Sequence, residues 1–455
     1  MSTTKKAISN DRTPQQSRRL IVLLIAVALV SINQGPNPIA ATSTGTVALQ
    51  TATVPMLAGT TQALNAGAGE QLNSHVDCGL AAYSSLDSQG TSQIRYFDFA
   101  AGTDHLVPDS GKESLFDVYG GRIASTQNTA SGQQVVIFDT ATQTRTVVPG
   151  FGNIRPTLGG NIVAFDSAGY FNNLSESEIG IYDLGTRAVT WLTDDGLYDR
   201  SAAVSPNGNA VVWEKCQNDG FNCDVYAATQ TAPGVFTTVA LTGAAGDELA
   251  SVTNGKIAVY TSSRGGETDI YFQPVGGGAE TQLFIPGHQR NPSISGDLIS
   301  FESEIVVGQT AEYDIFVYDI SSGTLYQATN TPGIEMWSDI AVCNGAAHIV
   351  YTAQGADFDV YAFTFLAPNS PAAQTDDLIE LVESFNPPGG TGNSLTTKLQ
   401  DALAAIAVAD TATACDSLTA FIKQCQAQSG KKLTAQQASQ LINSANQIKG
   451  DLGCQ

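Results

Sequence analysis

The chain has 455 residues, a formal net charge of −22, 14% charged residues and 44 glycines. This length is sufficient for two or three domains with a large buried core. Low charge combined with many glycines is typical of a turn-rich β protein and argues against a disordered chain. No basic run follows residue 19. Because neutralising phosphates requires clustered lysine and arginine, we expect no nucleic-acid partner.

The first 41 residues have the pattern of a secretory signal peptide. Cationic residues precede the apolar run Leu20–Val30, and Ala40-Ala41 stand near a candidate cleavage point. The run is short for a membrane span, which favours a cleaved signal over an anchor. We therefore expect an exported protein, periplasmic or extracellular, with no stable membrane span after cleavage.

Variants of one stretch, Val252–Leu283, recur along most of the chain. Its short alternating runs, separated by glycine turns, predict two consecutive β-hairpins. One series of copies follows the turn glycines Gly79, Gly121, Gly160, Gly208, Gly255, Gly296 and Gly345. A second series begins at Gln93, Gln134, Glu178, Asp224, Asp269, Asp314 and Asp359. The steps are 39 to 49 residues in the first series and 41 to 46 in the second. Two series with matching periods predict a repeat architecture.

Each repeat is predicted to form four short strands, and one such sheet cannot bury both faces by itself. Sheets stacked radially bury one another, so we predict an all-β propeller over residues 42–365, with the repeats at 75–365. Seven blades are favoured, and a six-bladed ring with one degenerate copy is the alternative. The seventh copy stops at Phe365, and we expect Thr46–Leu57 to supply its missing fourth strand and close the ring.

The stretch WLTDDGLYDRSAAVSPNGNAVVWEK (Trp191–Lys215) resembles the repeat of TolB-like, or WD40-like, propellers, including their "LT … SP-N-G" pattern. The resemblance covers about residues 75–365. Most members of that family are scaffolds that bind proteins or ligands, and some related propellers are fused to hydrolase domains. The resemblance therefore implies a propeller fold and a binding role.

Beyond a linker expected at 366–375, apolar residues recur at helical spacing and predict a small all-α domain at 376–455. Three or four helices are expected, at roughly Asp376–Ser384, Leu395–Val408, Thr411–Gln428 and Thr434–Leu452. The wording of this segment resembles the FIMAH-type helical domain found at the C-terminus of exported bacterial proteins. That resemblance implies an accessory or interaction module.

The chain has seven cysteines, and the expected export permits disulfides. Two flank a hairpin loop, two occupy equivalent places in the first and last repeats, and two would join the third helix to the chain end. These candidate pairs are Cys216–Cys223, Cys78–Cys343 and Cys415–Cys454. Cys425, on an apolar helical stripe, would then be a buried free thiol. The spacing does not favour zinc, because a C-x2-C pair is missing.

The sequence contains no recognisable catalytic motif. Its four histidines show no metal-ligand spacing, and neither HExxH nor GxSxG occurs. We place His348 inside a strand as a packing residue, and His75, His105 and His288 in turns or strand starts. The turns Asp194–Gly196 and Asn218–Gly220 carry calcium-type oxygen groups without a full ligand series. No cofactor or metal site is therefore predicted, although calcium remains open.

The loops that enter each first strand are the better candidates for function, because in a propeller they ring one mouth of the central channel. They contribute Asn153, Arg155, Asp199, Arg200, Asp247, Glu248, Gln289, Arg290, Trp337 and Asp339. This mixture of charges with one aromatic suits a polar ligand or peptide, and a self-paired solvated ring is the alternative. We predict a non-enzymatic scaffold that binds a protein or an envelope component there. A polysaccharide- or peptide-acting enzyme with its site at the same mouth is the competing hypothesis.

Overall fold

The computed structural model describes residues 46–48, 54–65, 67, 69–87, 89–150, 152–168, 176–217, 221–243, 245–307 and 310–454. The expected signal peptide and the turn Asn218–Gly220 lie outside these residues. Among the helices that are described, none is long and apolar enough to cross a membrane.

Two strands precede the repeats, and four-stranded antiparallel sheets, the blades, follow in chain order. The preceding strands are β1 (Thr46–Ala48) and β2 (Gly59–Asn65). Blade 1 contains β3 (Gln71–Val76), β4 (Leu80–Leu86), β5 (Ser92–Asp98) and β6 (Thr103–Leu106). Blade 2 contains β7 (Glu113–Tyr119), β8 (Arg122–Thr129), β9 (Gly132–Asp139) and β10 (Thr144–Val147). Blade 3 contains β11 (Asn153–Gly159), β12 (Ile162–Ala168), β13 (Ser177–Asp183) and β14 (Val189–Trp191).

The remaining blades repeat this order of strands. Blade 4 contains β15 (Tyr198–Val204), β16 (Ala210–Cys216), β17 (Asp224–Ala232) and β18 (Val235–Ala240). Blade 5 contains β19 (Glu248–Thr253), β20 (Ile257–Ser262), β21 (Asp269–Pro274) and β22 (Thr281–Phe284). Blade 6 contains β23 (Gln289–Ser295), β24 (Leu298–Val307), β25 (Thr310–Asp319) and β26 (Thr324–Gln327). Blade 7 contains β27 (Glu335–Cys343), β28 (Ala346–Gln354), β29 (Phe358–Leu366) and, as its outer strand, β2.

The core is divided among the junctions between neighbouring blades. Each junction has its own cluster of buried apolar residues, contributed by both of its blades. The second strand of six blades carries a buried aromatic residue at the same register. These residues are Tyr83, Phe165, Trp213, Tyr260, Phe301 and Tyr351. Burying a large apolar side chain stabilises a protein by roughly 2–3 kcal/mol, so every junction adds to the stability of the ring.

The N-terminal segment closes the ring, as expected, but with a different strand. Gly59–Asn65 pairs antiparallel with β29, and Leu64 is buried between blades 7 and 1. The segment expected to do so is Thr46–Leu57, and its described residues pair instead with the outer strands of blades 5 and 6. Thr46–Ala48 pairs in parallel with β22, and Met56 forms a bridge with Gln327.

The three expected disulfides are present. Cys78–Cys343 joins blade 1 to blade 7, Cys216–Cys223 closes the hairpin between β16 and β17, and Cys415–Cys454 lies in the helical region. Cys425 is free and buried, as predicted. The first of these pairs reinforces the seam at which the N-terminal and C-terminal ends of the propeller meet.

Four helices follow the propeller and share one apolar core. They are α1 (Pro371–Phe385), α2 (Thr391–Ala407), α3 (Thr411–Gln428) and α4 (Ala435–Asp451). The linker is shorter than expected, because Ser370 caps α1 and Pro371 opens it. Thr434 and Gln437 form the capping box of α4.

The helical domain contacts the turn between β27 and β28. The Ser370 hydroxyl donates to the Gly345 carbonyl oxygen at 3.2 Å, and Asn344 Nδ2 donates to the Ala407 carbonyl oxygen at 3.4 Å. Asn369 Nδ2 adds a bond of 2.7 Å to Asp319 Oδ2 of blade 6. These bonds fix the helices beside the end of the first strand of blade 7.

Candidate functional site

The first strand of every blade contains one extra residue. In each of the seven pairs of first and second strands the register shifts once. Six of the seven bulges contain a residue with positive φ: Asn73, Arg155, Ser201, Ala250, Asn291 and Trp337. The bulge divides each first strand into a starting part and an ending part, with different surroundings.

In the starting part, one polar residue per blade is buried. These residues, the buried ring, are Gln71, Glu113, Asn153, Asp199, Glu248, Gln289 and Glu335. The amides of the buried ring donate to carbonyl groups of the preceding loop, as Gln289 Nε2 does to Ile285 at 3.1 Å. Four of the expected site residues are therefore buried among the strands: Asn153, Asp199, Glu248 and Gln289.

The three expected arginines are each bound to a buried carboxylate of their own blade. That carboxylate also accepts a backbone N–H from the first strand of the next blade, so we call each unit a clamp. The clamps are Arg155–Asp166–Ser201, Arg200–Glu214–Ala250 and Arg290–Glu302–Trp337. Burial raises the pKa of all three carboxyl groups, and the arginines oppose that shift. The carboxylates thus link neighbouring blades, and the arginines balance their charge.

In the third clamp, Arg290 Nε donates to Glu302 Oε2 at 2.6 Å. Glu302 Oε1 accepts from the Trp337 N–H, so the expected aromatic residue is bound through its backbone. Asp247, in the loop before β19, accepts from the Cys223 N–H at 3.0 Å. Of the ten residues expected in loops, Asp247 alone lies in one, and the other nine lie within first strands.

Beyond the bulge, a second set of residues faces the centre of the ring. They are the first paired residues after each register shift, and we call them the channel ring. Its members are His75, Asp117, Thr157, Ala203, Val252, Ser293 and Asp339. All seven line one cavity of about 480 Å³, which extends to the turns after the first strands. This volume lies within the range of small-molecule and peptide sites.

The cavity has a polar half and an apolar half. Ser293, Asp339, His75 and Asp117 come from four consecutive blades around the ring, blades 6, 7, 1 and 2. Ala203 and Val252 form the opposite wall. Thr157 Oγ1 donates to the Ala202 carbonyl oxygen at 3.0 Å and so adds little polarity there. A bound molecule would therefore meet charge on one side and aliphatic groups on the other.

The carboxylates of the polar half are fixed by the next blade. Asp117 Oδ2 accepts from the Leu158 N–H at 2.6 Å, and Asp339 Oδ2 accepts from the Val76 N–H at 2.9 Å. Asp339 Oδ1 accepts from the Ser293 hydroxyl at 2.6 Å. These bonds hold the carboxylates rigidly at the channel wall, which preorganises the polar half.

His75 lies between two carboxyl groups. Its Nδ1 is 3.6 Å from Asp339 Oδ2. Burial by itself lowers the pKa of His75, but Asp339 and Asp117 outweigh it and the pKa is raised. Burial raises the pKa of Asp117 to about 7, whereas for Asp339 the contacts with His75 outweigh burial and the pKa is lowered. The polar half therefore changes protonation close to neutral pH.

The other histidines have structural surroundings. His348 lies within β28, as predicted; it stacks on Phe99 with ring centroids 4.5 Å apart, and its Nδ1 is 2.9 Å from Thr364 Oγ1. His105 stacks on Tyr96, and His288 Nδ1 accepts from the Thr268 N–H. His75 was expected in a turn or strand start, and this was wrong. The bulge in β3 broke the alternation that would have identified a strand.

Sequence analysis also missed Asp117 and Ser293. One signal was available, because each lies four residues after its buried-ring member, as His75 does after Gln71. Aligning the repeats on those polar residues, rather than on the turn glycines, would have brought the channel ring into register.

No protein-family model matches this sequence, and no curated protein sequence matches it either. Solved structures do match. The β-propeller domain of the trilobed protease from Pyrococcus furiosus, described as having an open velcro topology, is 10% identical, with a TM-score of 0.50 over 65% of this chain and 95% of that chain. An acylaminoacyl peptidase in complex with Z-Gly-Gly-Phe-chloromethyl ketone is 10% identical, with a TM-score of 0.50 over 65% of this chain and 51% of that chain.

A weaker similarity links the chain to TolB from Acinetobacter baumannii, at 17% identity and a TM-score of 0.37 over 60% of this chain and 76% of that chain. The match to the acylaminoacyl peptidase takes in about half of that protein's length. At such low identities the first two similarities show the fold. This protein is a seven-bladed β-propeller followed by a small helical domain.

Proposed function

We propose that this protein is an exported, non-enzymatic binding scaffold, and that its propeller receives a protein or small-molecule partner in the cavity lined by the channel ring. The observation that carries the proposal is the cavity of about 480 Å³ with its polar and apolar halves. Concave sites with a few fixed polar groups on an apolar wall are typical of ligand binding.

The arrangement of the polar half favours binding over catalysis. Nucleophilic catalysis needs a base beside the nucleophile, with the histidine between the serine and the carboxylate. Here Asp339 lies between Ser293 and His75. The Ser293 hydroxyl therefore donates its hydrogen bond to the carboxylate and not to the imidazole. An enzyme acting on polysaccharide or peptide through Arg200 and Glu248 has less support, because Arg200 is bound to Glu214 and Glu248 is buried.

Export is supported by the N-terminal sequence pattern and by three disulfides, which are typical of oxidising compartments. We place the protein in the periplasm or outside the cell, with an envelope or extracellular component as its partner. We further propose that the propeller is TolB-like and that the helices form a FIMAH-type module. Their position beside the turn at Gly345, close to the cavity residue Val342, suits a module that recruits or tethers.

The test is capture of partners from an envelope extract by three forms of the purified protein. Ala203→Trp fills the apolar side of the cavity, and Val235→Trp adds the same side chain on the outer strand of blade 4, where Val235 is exposed. We expect the wild type and Val235→Trp to retain a specific partner that Ala203→Trp loses at equal thermal stability. Equal capture by both variants would show that the site lies outside the channel. If the wild type captured no specific partner, that result would count against the binding proposal.

A further inference from the structure

A cluster of three carboxylates lies outside the channel, at the junction of blades 3 and 4. Oxygen atoms of Glu178, Asp195 and Asp199 all lie within 4.8 Å of one another. Glu178 is the second residue of β13, and Asp199 belongs to the buried ring of the next blade. A parallel bridge between Ser177 and Tyr198 holds the two strands together beside the cluster. Both strands are thus fixed, and Asp195 lies in the connection that precedes β15.

The cluster contains a buried oxygen without a partner. Glu178 is 1% exposed, and its Oε2 has no hydrogen bond within the described part of the chain. Its other oxygen, Oε1, accepts from the Asp195 and Gly196 N–H groups at 3.2 Å. Those two bonds fix the carboxylate. A buried carboxylate oxygen that lacks a donor is costly unless a proton, a water molecule or a cation meets it.

The charges of the cluster are only partly balanced. Lys215 is paired with Asp195, and its Nζ lies 3.3 Å from Asp199 Oδ2. Asp199 Oδ1 accepts from the Trp213 indole N–H at 2.6 Å. When all three carboxylates are ionised, one ammonium group faces them, which leaves two negative charges at a site where Asp199 is fully buried. A divalent cation would neutralise them.

Other junctions with two carboxyl groups lack this combination. Glu335 is hydrogen-bonded to Asp314, and Thr329 donates to its Oε2 at 3.1 Å, so both of its oxygens are satisfied. Glu248 also faces a carboxyl group, Asp224, but no third carboxylate joins them among the residues that the structure describes. The junction of blades 3 and 4 is therefore distinct within the same ring.

We propose that Glu178, Asp195 and Asp199 form a binding site for a divalent cation, of which calcium fits best. Carboxylate oxygens are the ligands that hard cations prefer, and calcium tolerates irregular geometry with water completing its shell. Asp195 has a side chain that is 44% exposed and provides the access from solvent. Lys215 remains as the fourth charge of the site, and the bound ion connects blade 3 to blade 4.

Thermal unfolding with calcium chloride or with a chelator is the first test. We expect the unfolding midpoint of the purified protein to rise by several degrees in millimolar calcium, because an ion that binds only the folded state stabilises it. Magnesium should have a smaller effect. Asp195→Asn, at a side chain that is 44% exposed, should abolish the response, whereas Asp224→Asn at the next junction should preserve it. No calcium response in the wild type, or an unchanged response in Asp195→Asn, would overturn the proposal.

Terbium luminescence gives a readout that does not depend on stability. Terbium replaces calcium at oxygen sites, and Trp213, bonded to Asp199, is placed to sensitise its emission. We expect terbium emission that saturates and that added calcium reduces by competition. This emission should be lost in Asp195→Asn. Emission that persists in this variant would place the ion elsewhere and contradict the assignment. Stabilisation by acid alone, without a calcium effect at pH 8, would show that a proton balances the charge and would also overturn it.

Discussion

The two ends of the seven first strands use similar polar residues for different purposes. At the starting end, the clamps place carboxylates between blades, where arginines and backbone N–H groups bind them. At the ending end, Asp117 and Asp339 also bind the next blade, but they keep one side open to the cavity. This second end combines fixed charge with a cavity of about 480 Å³.

This difference shows that a charged residue near a propeller mouth does not by itself indicate a site. What distinguishes the two ends is whether the carboxylate borders the cavity. Glu302 has three donors, from Arg290, Asn291 and Trp337, and is fully buried. Substitutions at the two ends should therefore differ in kind, with stability changed at the start and binding changed at the end.

The largest effect is expected at the starting end, from Glu302→Ala. Removing one partner of a buried ion pair leaves an uncompensated charge and typically costs about 3–5 kcal/mol. Urea unfolding would measure the loss in free energy of unfolding. Replacing both partners, in Arg290→Met with Glu302→Leu, should cost clearly less. A loss below about 1 kcal/mol in the single variant would mean that the clamp does not stabilise the ring.

The disulfide between Cys78 and Cys343 should come next, because it closes the ring at the cavity end. Removing a bridge over such a long loop by the double change to serine should cost roughly 2–5 kcal/mol. The midpoint of urea unfolding measures it. The same double change at Cys216 and Cys223 should cost less, because that bridge closes a short loop. Equal losses would argue that neither bridge acts through chain entropy.

A pH effect of intermediate size is expected from Glu335 at the junction of blades 6 and 7. Burial, together with the hydrogen bond to Asp314, raises the pKa of Glu335 from 4.5 to about 8. The folded protein therefore holds this proton longer than the unfolded chain does, and stability falls as pH rises from 4.5 to 8. In Glu335→Gln the decrease in the free energy of unfolding between pH 4.5 and 8 should be smaller by about 1–2 kcal/mol. Thermal unfolding at several pH values measures it, and Glu267→Gln in an exposed turn should leave the slope unchanged.

The smallest effect on stability is expected from His75→Ala, at the cavity end. Because the pKa of His75 is raised, its ion pair with Asp339 contributes fully to stability below pH 6.5. This contribution is lost as the pH rises past the pKa of His75 in the folded protein. Because the pKa of Asp339 is lowered, its carboxylate loses its charge, and the ion pair is lost, only at a pH below 3.8. The loss should stay under about 1 kcal/mol and be greatest near pH 5. A larger loss that persists at pH 9 would mean that His75 is a packing residue and not part of a binding site.

Much of the fold could be predicted from the sequence, because it depends on the period. Blades bury their faces against one another, so the apolar runs and glycine turns recur at near-constant spacing and reveal seven repeats. Cys78 and Cys343 could be paired because they occupy equivalent places in the first and last repeat. The four helices followed from their apolar stripes, although Ser370-Pro371, a capping signal, was read as linker.

The candidate site could not be predicted in the same way. A bulge adds one residue to each first strand, so the alternation that identifies a strand changes phase just before the channel ring. The clamps were also missed, since an acid within a strand is usually read as solvent-exposed. A local signal existed, because Asp166, Glu214 and Glu302 each follow the buried aromatic residue of a second strand. Pairing between distant strands, such as β2 with β29, leaves no trace in local pattern.

The pairing of β2 with β29 has a consequence for the order in which the molecule is made. β2 leaves the ribosome before any blade exists, and its partner is produced only when almost all of the propeller has been synthesised. Until then blade 7 has an open edge, and the early segment has no place in a sheet. If the chain is secreted N-terminus first, the same delay applies on the far side of the membrane. Formation of Cys78–Cys343 would then mark completion of the ring, since it joins the same two ends.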